Sequence, residues 1–226
     1  MSEKSKKVDE MFSETTKELV KKFLLNRSEF EQSVAQQPSQ GLAIALKELL
    51  ALYANDKNSS TLREWIVLHI AGCEPHKDKI GYNGYKGHVP YEVKTRNVRS
   101  DKPKPKKLNG DGNFTDFTPE RLEKYRQEGV RLLVVGFVDG ELVYVLEVPF
   151  ESLCDRLQSQ LDKAFPQGRE KGKYLRSANF SFQDYRDDER VECRYLNPQW
   201  RQFVQWCTES FQKYLERFEG GCDQWS

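Results

Sequence analysis

The run Val89-Pro-Tyr-Glu-Val-Lys-Thr95 sets a carboxylate, Glu92, and an ammonium, Lys94, two residues apart in a segment with strand character. Alternation along a strand sends positions i and i+2 to one face, so the two side chains point together while Tyr91 and Val93 turn toward a core. A carboxylate can hold a divalent cation. A neighbouring ammonium can orient a water or stabilise the charge that develops on a phosphate under attack. Metal-assisted hydrolysis of a phosphodiester needs that pairing. A bare Glu-x-Lys is more commonly a surface ion pair on a solvated strand, so the surroundings must decide.

Upstream lies Lys77-Asp-Lys-Ile-Gly-Tyr-Asn-Gly-Tyr-Lys-Gly-His88, whose glycines predict a short strand at about 79–85 and a turn into a strand at about 88–95. Downstream, Lys94 to Lys107 holds seven basic residues against one acid, Asp101. In these features the chain resembles the PD-(D/E)xK nuclease superfamily, and within it the small type II restriction endonucleases. The family pattern is an acid at the end of one strand, a hairpin, then (Asp/Glu)-x-Lys on the next. It maps here onto Asp78 or Asn83, the turn through Gly84 to His88, and Glu92-Val93-Lys94, covering roughly residues 74–97.

The resemblance implies a Mg²⁺-dependent endonuclease, with Mn²⁺ as a substitute, cutting both strands of a short double-stranded DNA sequence as a homodimer in a bacterial or archaeal cytoplasm. Glu92 would ligate the metal with Asp78 or Asn83 and the Val93 carbonyl, and Lys94 would orient the water. A structure-specific repair or junction nuclease of the same superfamily is the second reading. A non-catalytic DNA-binding module with a degenerate site is the third. Asn83 departs from the pattern, because its carbonyl can ligate a cation but brings no charge. Three explanations stay open: Asp78 supplies the carboxylate, Asn83 is a tolerated natural variant, or Asn83 is an introduced replacement for an aspartate. Glu64 and Glu74 can assist the metal, or can simply be solvated helix-face residues.

The DNA would be held by the loop at 96–113. Arg96, Arg99, Lys102, Lys104, Lys106 and Lys107 suit phosphates, while Asn97, Asn109 and Asn113 offer amides able to read base edges. Lys173 and Arg176, in a second basic stretch, would form another wall.

These residues need a scaffold. The 226 residues suffice for a sizeable core, and the net charge of +1 puts any basic field in local patches. Five cysteines, at 73, 154, 193, 207 and 222, show no metal-ligand spacing and an odd count, which favours a reducing compartment over a disulfide framework. No apolar run approaches a membrane span and no signal-peptide pattern opens the chain, pointing to a soluble intracellular protein with no membrane partner.

Residues 1–73 read as a helical N-terminal region packed on a nuclease core at 74–226, the whole forming one compact domain. The helical region has apolar positions Val8, Met11, Phe12, Leu19, Val20, Phe23, Leu24, Phe30 and Val34 before a break at Pro38–Gly41. A helix at Leu42–Tyr53 carries Leu42, Ala45, Leu46, Leu49 and Leu52 on one face. Another, at Leu62–Ala71, places Trp65, Ile66, Leu68 and His69 inside. A loop is expected over Leu108–Thr118, then a helix from Pro119 capped by Thr118. A hairpin follows, Val130–Val138 with Leu142–Val148 across Asp139-Gly140, both strands covered on both faces. The chain then gives a helix at Phe150–Phe165, a loop at 167–173, strands at Ala178–Phe182 and Val191–Leu196, and an aromatic-rich helix from Pro198 to Phe218. The expected fold class is α/β (α+β): a central mixed sheet flanked by helices, as in a restriction-endonuclease-like core.

Overall fold

The computed structural model describes residues 13–16, 18–19, 27–55, 60–76 and 82–222. The chain divides into two compact units, residues 1–59 and 60–226. The first contains α1 (Arg27–Gln36) and α2 (Ser39–Asn55), separated only by the bend at Gln37 and Pro38. Glu48 of α2 accepts from the Thr16 hydroxyl at 2.5 Å and from Ser13, and these bonds hold its carboxyl below the usual range. Ala45 and Leu19 are buried, but Leu46 is 58% exposed and Leu49 is also exposed. The expected apolar face of α2 is thus covered at Ala45, partly at Leu42, and left open at Leu46 and Leu49. Val8, Met11, Phe12, Val20, Phe23 and Leu24 lie outside the described residues, as do the side chains of Leu52 and Trp65.

The second unit is a mixed sheet with helices. Its elements are α3 (Ser60–Ile70), β1 (Glu74–Pro75), β2 (Gly84–Lys86), β3 (Val89–Val98), β4 (Gly112–Phe117), α4 (Pro119–Gln127), β5 (Arg131–Val138), β6 (Glu141–Pro149), α5 (Cys154–Ala164), β7 (Leu175–Phe180), β8 (Glu192–Leu196) and α6 (Glu209–Leu215). The six-stranded sheet runs β1-β2-β3-β5-β6-β8, and β4 and β7 form a separate two-stranded ribbon. All neighbours are antiparallel except β3 and β5, which pair in parallel with Glu92 opposite Leu132 and Lys94 opposite Val134. The hairpin between β5 and β6 turns at Asp139-Gly140 as its sequence demands, both residues having positive φ.

Alternation divides the core in two. Tyr91, Val93, Leu133, Val135 and Phe137 face Val67 and Leu68 of α3 and Ala71 just after it. Leu132, Val134 and Leu146 face the opposite cluster, which includes Leu122 and Tyr125 of α4, Leu157 of α5, Phe114 and Phe180 of the ribbon, and Phe211. Both central strands are covered on both sides. Helix α3 therefore belongs with the sheet, although the sequence reading placed it in an N-terminal region ending at residue 73.

Other expectations are corrected. His69 is exposed, since burial at the end of α3 and just beyond it follows Val67, Leu68 and Ala71. Arg96 and Asn97 lie on β3, which runs to Val98 because β5 extends alongside it. The segment after Leu108 is not all loop: Phe114 packs inward between exposed Asn113 and Thr115, an alternation that makes β4. The stretch Phe150–Leu153 is 3₁₀ before α5 begins. The C-terminal segment is not one helix. Leu108 inserts between Trp206 and Thr208, with Leu108 N–H donating to Trp206 O at 2.7 Å and Thr208 N–H to Leu108 O at 2.9 Å. Cys207 is pulled extended there and Thr208 begins α6 afresh. Finally, Cys193 of β8 and Cys222 form a disulfide, Cα–Cα 5.3 Å, across a separation of 29 residues. Odd count and irregular spacing concealed this pair, because β8 and the chain end meet only in the fold. No helix among the described residues is long and apolar enough to cross a membrane.

Candidate active site on strand β3

Glu92 and Lys94 project from β3 to the side of α4 and the ribbon, as alternation requires. Lys94 Nζ lies 2.8 Å from Glu92 Oε1, with the side chains only 15% and 10% exposed. A solvated surface pair would stand far more open. Lys94 is also held over the Phe114 ring, 4.4 Å from its centroid. Its stem is overlain by Gly112, where a Cβ would come within 3.2 Å of Lys94 Cβ and still closer to Phe180. A side chain at 112 is thus opposed first by the Phe180 ring and then by the lysine stem beneath it.

Asn83 reaches the same strand from the other edge. Its N–H donates to Tyr91 O at 3.0 Å, but β2 begins only at Gly84, so Val93 N–H has no ladder partner from β2. The Asn83 side chain supplies one: Oδ1 accepts from Val93 N–H at 2.8 Å. Its Nδ2 then donates to Glu64 Oε2 at 3.0 Å. Both halves of the amide are used, and a carboxylate at 83 could perform only the first task. Glu64, on α3, is thereby drawn to the edge of β3. Burial and then the nearby Glu92 charge push its carboxyl up, partly offset by Lys94. In strand geometry the carbonyl of Val93 leaves on the same edge as its N–H.

Helix α4 closes the site. The Thr118 side chain caps it by accepting from Arg121 N–H, and Pro119 opens its first turn. Arg121 and Tyr125, one turn apart, then face Glu92 together. Arg121 Nη2 is 3.5 Å from Glu92 Oε1 and donates to the Tyr125 hydroxyl at 2.8 Å; Tyr125 in turn points at Glu92 Oε2, 3.5 Å away. Burial and the Glu92 charge push the Tyr125 phenol up to about 12, so it remains a neutral donor. The guanidinium also stacks on the Tyr125 ring, 5.0 Å from its centroid.

The donors at this edge are hard oxygens: two carboxylates, an amide and a backbone carbonyl. No group of three or more His, Cys, Asp or Glu side chains positioned to hold a metal occurs among the described residues. Magnesium typically uses one or two carboxylates and completes its shell with water and substrate phosphate, and the set present fits that requirement. Asp78 lies outside the described residues. Glu74 is exposed on β1 opposite Tyr85 and takes no part in these contacts.

The expected DNA-contacting residues are only partly available. Arg96 pairs with Asp111 at 2.5 Å, and Lys106 reaches the same carboxylate at 3.2 Å. The Asn109 amide, oriented with its nitrogen toward Asp111, donates to Oδ1 at 2.6 Å. Asn97 Oδ1 accepts from Gly140 N–H at 3.0 Å and serves the hairpin turn. Arg99 pairs with Asp101. Lys102, Lys104, Lys107, Asn113, Lys173 and Arg176 are exposed, the last three on or beside the ribbon. Arg121 and Tyr125 were not singled out from sequence; the readable signal was their four-residue spacing just inside a capped helix start.

No protein-family model matches the chain, and no curated protein matches it.

Proposed function

We propose that this chain is a metal-dependent endodeoxyribonuclease of the PD-(D/E)xK type that cuts double-stranded DNA at a specific sequence as a homodimer. The observation that carries the reading is Glu92 beside Lys94 on one strand, both largely withdrawn from water, with Glu64 and Asn83 drawn to the same edge. The six-stranded mixed sheet flanked by helices suits such a core. Glu92, Glu64, the Asn83 amide oxygen and the Val93 carbonyl would hold Mg²⁺, with Mn²⁺ as a substitute. When bound, the ion supplies an activated water and offsets charge on the phosphate.

The remaining work falls to the chain. Lys94, fixed by Glu92 and the Phe114 face, presents ammonium protons to the attacked phosphate and its water. Arg121 neutralises Glu92 while no cation is held, and Tyr125 keeps that carboxylate oriented. The exposed lysines 102, 104 and 107 would grip backbone phosphates of the duplex.

The test is incubation of plasmid or phage DNA with Mg²⁺, comparing the wild type with Lys94→Ala. Discrete fragments, lost in the variant while DNA is still bound, are expected. A fully active Lys94→Ala protein would remove the reading. Cleavage that follows branches or nicks would point instead to a structure-specific nuclease. A second reading, a non-catalytic DNA-binding module, draws on Asn83, which brings no charge and whose amide already ties Val93 to Glu64. It predicts bound but uncut DNA for both the wild type and Asn83→Asp.

A further inference from the structure

The β4–β7 ribbon is a two-sided object. Phe114, Ala178 and Phe180 anchor its inner face in the core, whereas Asn113, Thr115, Ser177 and Asn179 stand on the outer face. Register pairs these outward residues directly, Asn113 with Asn179 and Thr115 with Ser177. All four carry hydroxyl or amide groups, and none carries a charge. Apolar anchoring explains the inner face, but folding does not require a run of hydrogen-bonding side chains on the outer one.

The edges of the ribbon are occupied. Gln160 of α5 donates to Asn179 O at 2.8 Å and accepts from Asn179 N–H at 2.9 Å on the β7 side. Arg121 Nη1 donates to Thr115 O at 2.9 Å on the β4 side. A partner strand therefore finds both edges already taken at these points, and what the ribbon offers is its face. Exposed cations flank the two strands in sequence: Lys102, Lys104 and Lys107 precede β4, Lys171 and Lys173 precede β7, and Arg176 is the second residue of β7. The single acid within the two strands is Asp116, at the irregular position with φ 51°. The ribbon also begins at the proposed catalytic lysine, since Gly112 overlies Lys94.

We infer that the β4–β7 ribbon is the sequence-reading element of this protein, entering the major groove of duplex DNA with Asn113, Thr115, Ser177 and Asn179 toward the base edges. The inference rests on the nuclease reading for its choice of partner. A major groove about 12 Å wide admits a two-stranded ribbon, whose strands are about 4.8 Å apart and whose six residues span roughly 20 Å. Amide side chains match the donor–acceptor pair of adenine, and hydroxyls bond either way. Flanking lysines and arginines would hold phosphates on both sides of the groove. The Ser177 hydroxyl donates to Asn179 Oδ1 at 3.2 Å, which leaves the Asn179 NH₂ as the outward donor.

The experiment reads binding without cleavage. Short duplexes randomised at the centre are selected on the full-length protein in Ca²⁺ and sequenced, for the wild type, Asn113→Ala, Thr115→Val and Asn179→Ala. The wild type is expected to enrich one motif. Each variant should lose preference at particular positions by roughly 5- to 150-fold while keeping its weak, salt-dependent binding to other DNA. Replacing the motif's purines by 7-deaza analogues should weaken the wild type, because N7 lies in the major groove. An unchanged motif in all three variants overturns the inference and leaves the nuclease reading standing. So does indifference to 7-deaza purines. Wild-type binding with no motif overturns the inference together with the sequence-specific part of the nuclease reading, and points to a structure-specific nuclease. A wild type that binds no DNA removes both. Unaltered thermal unfolding of the variants would show that a lost preference is not lost folding.

Discussion

At position 83 an amide sits where two demands meet, an acceptor for Val93 N–H and a donor for Glu64. Asn83→Asp would keep the first bond and replace the second with two carboxylates about 3 Å apart. Without a cation we expect a loss of about 1–3 kcal/mol in urea unfolding at neutral pH. With Ca²⁺ or Mg²⁺ the same variant should gain more in melting temperature than the wild type, since a divalent ion answers both charges. A variant destabilised equally with and without cation would refute a metal role for this edge. At Arg121, replacement by alanine should lower cleavage at saturating DNA more than it lowers DNA affinity, because the guanidinium faces Glu92 rather than open solvent. An equal drop in both would make it a phosphate contact only.

The Glu92–Lys94 pair was legible in sequence because strand alternation is a local rule, and the helix cap at Thr118 was legible for the same reason. The ties of Glu64 and Asn83 were not. They depend on where β2 stops pairing with β3, which only the three-dimensional register decides. Arg96, Asn97 and Asn109 were given DNA roles by type and position. The fold instead commits them to Asp111 and to the Gly140 turn.

Among the elements, the ribbon and β3 are coupled at Gly112. Gly112→Val would drive a branched side chain into Phe180 and the Lys94 stem. We expect about 1–3 kcal/mol of destabilisation from overpacking. Activity should fall by more than the residual folded fraction explains, measured as turnover per folded molecule beside a circular-dichroism melt. Activity that merely tracks the folded fraction would mean that the ribbon does not set the position of the lysine. Leu108 gives the corresponding lesson for reading sequence. The apolar period from Pro198 to Phe218 is continuous, yet Leu108, far upstream in the chain, breaks the helix by claiming the backbone groups of Trp206 and Thr208.

Across the whole sheet, one buried carboxylate ties four adjacent strands. Glu147 of β6 accepts from Tyr91 of β3 at 2.9 Å, from Arg131 of β5 at 2.7 Å and from Arg194 of β8 at 2.7 Å. Burial pulls its carboxyl up, but the Arg194 and Arg131 charges and the Tyr91 hydroxyl outweigh that and leave it lowered. A carboxyl lowered on folding contributes fully above its unfolded value, near 4.3, and loses that contribution as pH falls through the folded value. Wild type should therefore exceed Glu147→Gln in stability by roughly 3 kcal/mol at neutral pH, the low end for a broken buried pair. Both guanidiniums keep about a fifth of their surface in water, which limits the loss. The gap should narrow as pH falls below about 5, through the unfolded value and on toward the lowered folded one, in urea titrations; a gap that stays constant as the solution is acidified would disprove the linkage.

The segment Arg99–Lys107 belongs to no ladder, and most of it is exposed. Lys102 and Lys104 each precede proline, a bond that trypsin resists, so Arg99-Ser100 and Lys106-Lys107 are the vulnerable points. A nick at either would leave Glu64, Asn83, Glu92 and Lys94 on one fragment and Phe114, Arg121, Tyr125 and the ribbon on the other. The eight-residue parallel pairing of β3 with β5 would still bind the fragments together. A clipped preparation should migrate as one species in native gel filtration and as two bands under denaturing conditions. The two fragments, made separately and mixed, would then constitute a split protein whose reassembly switches the site on.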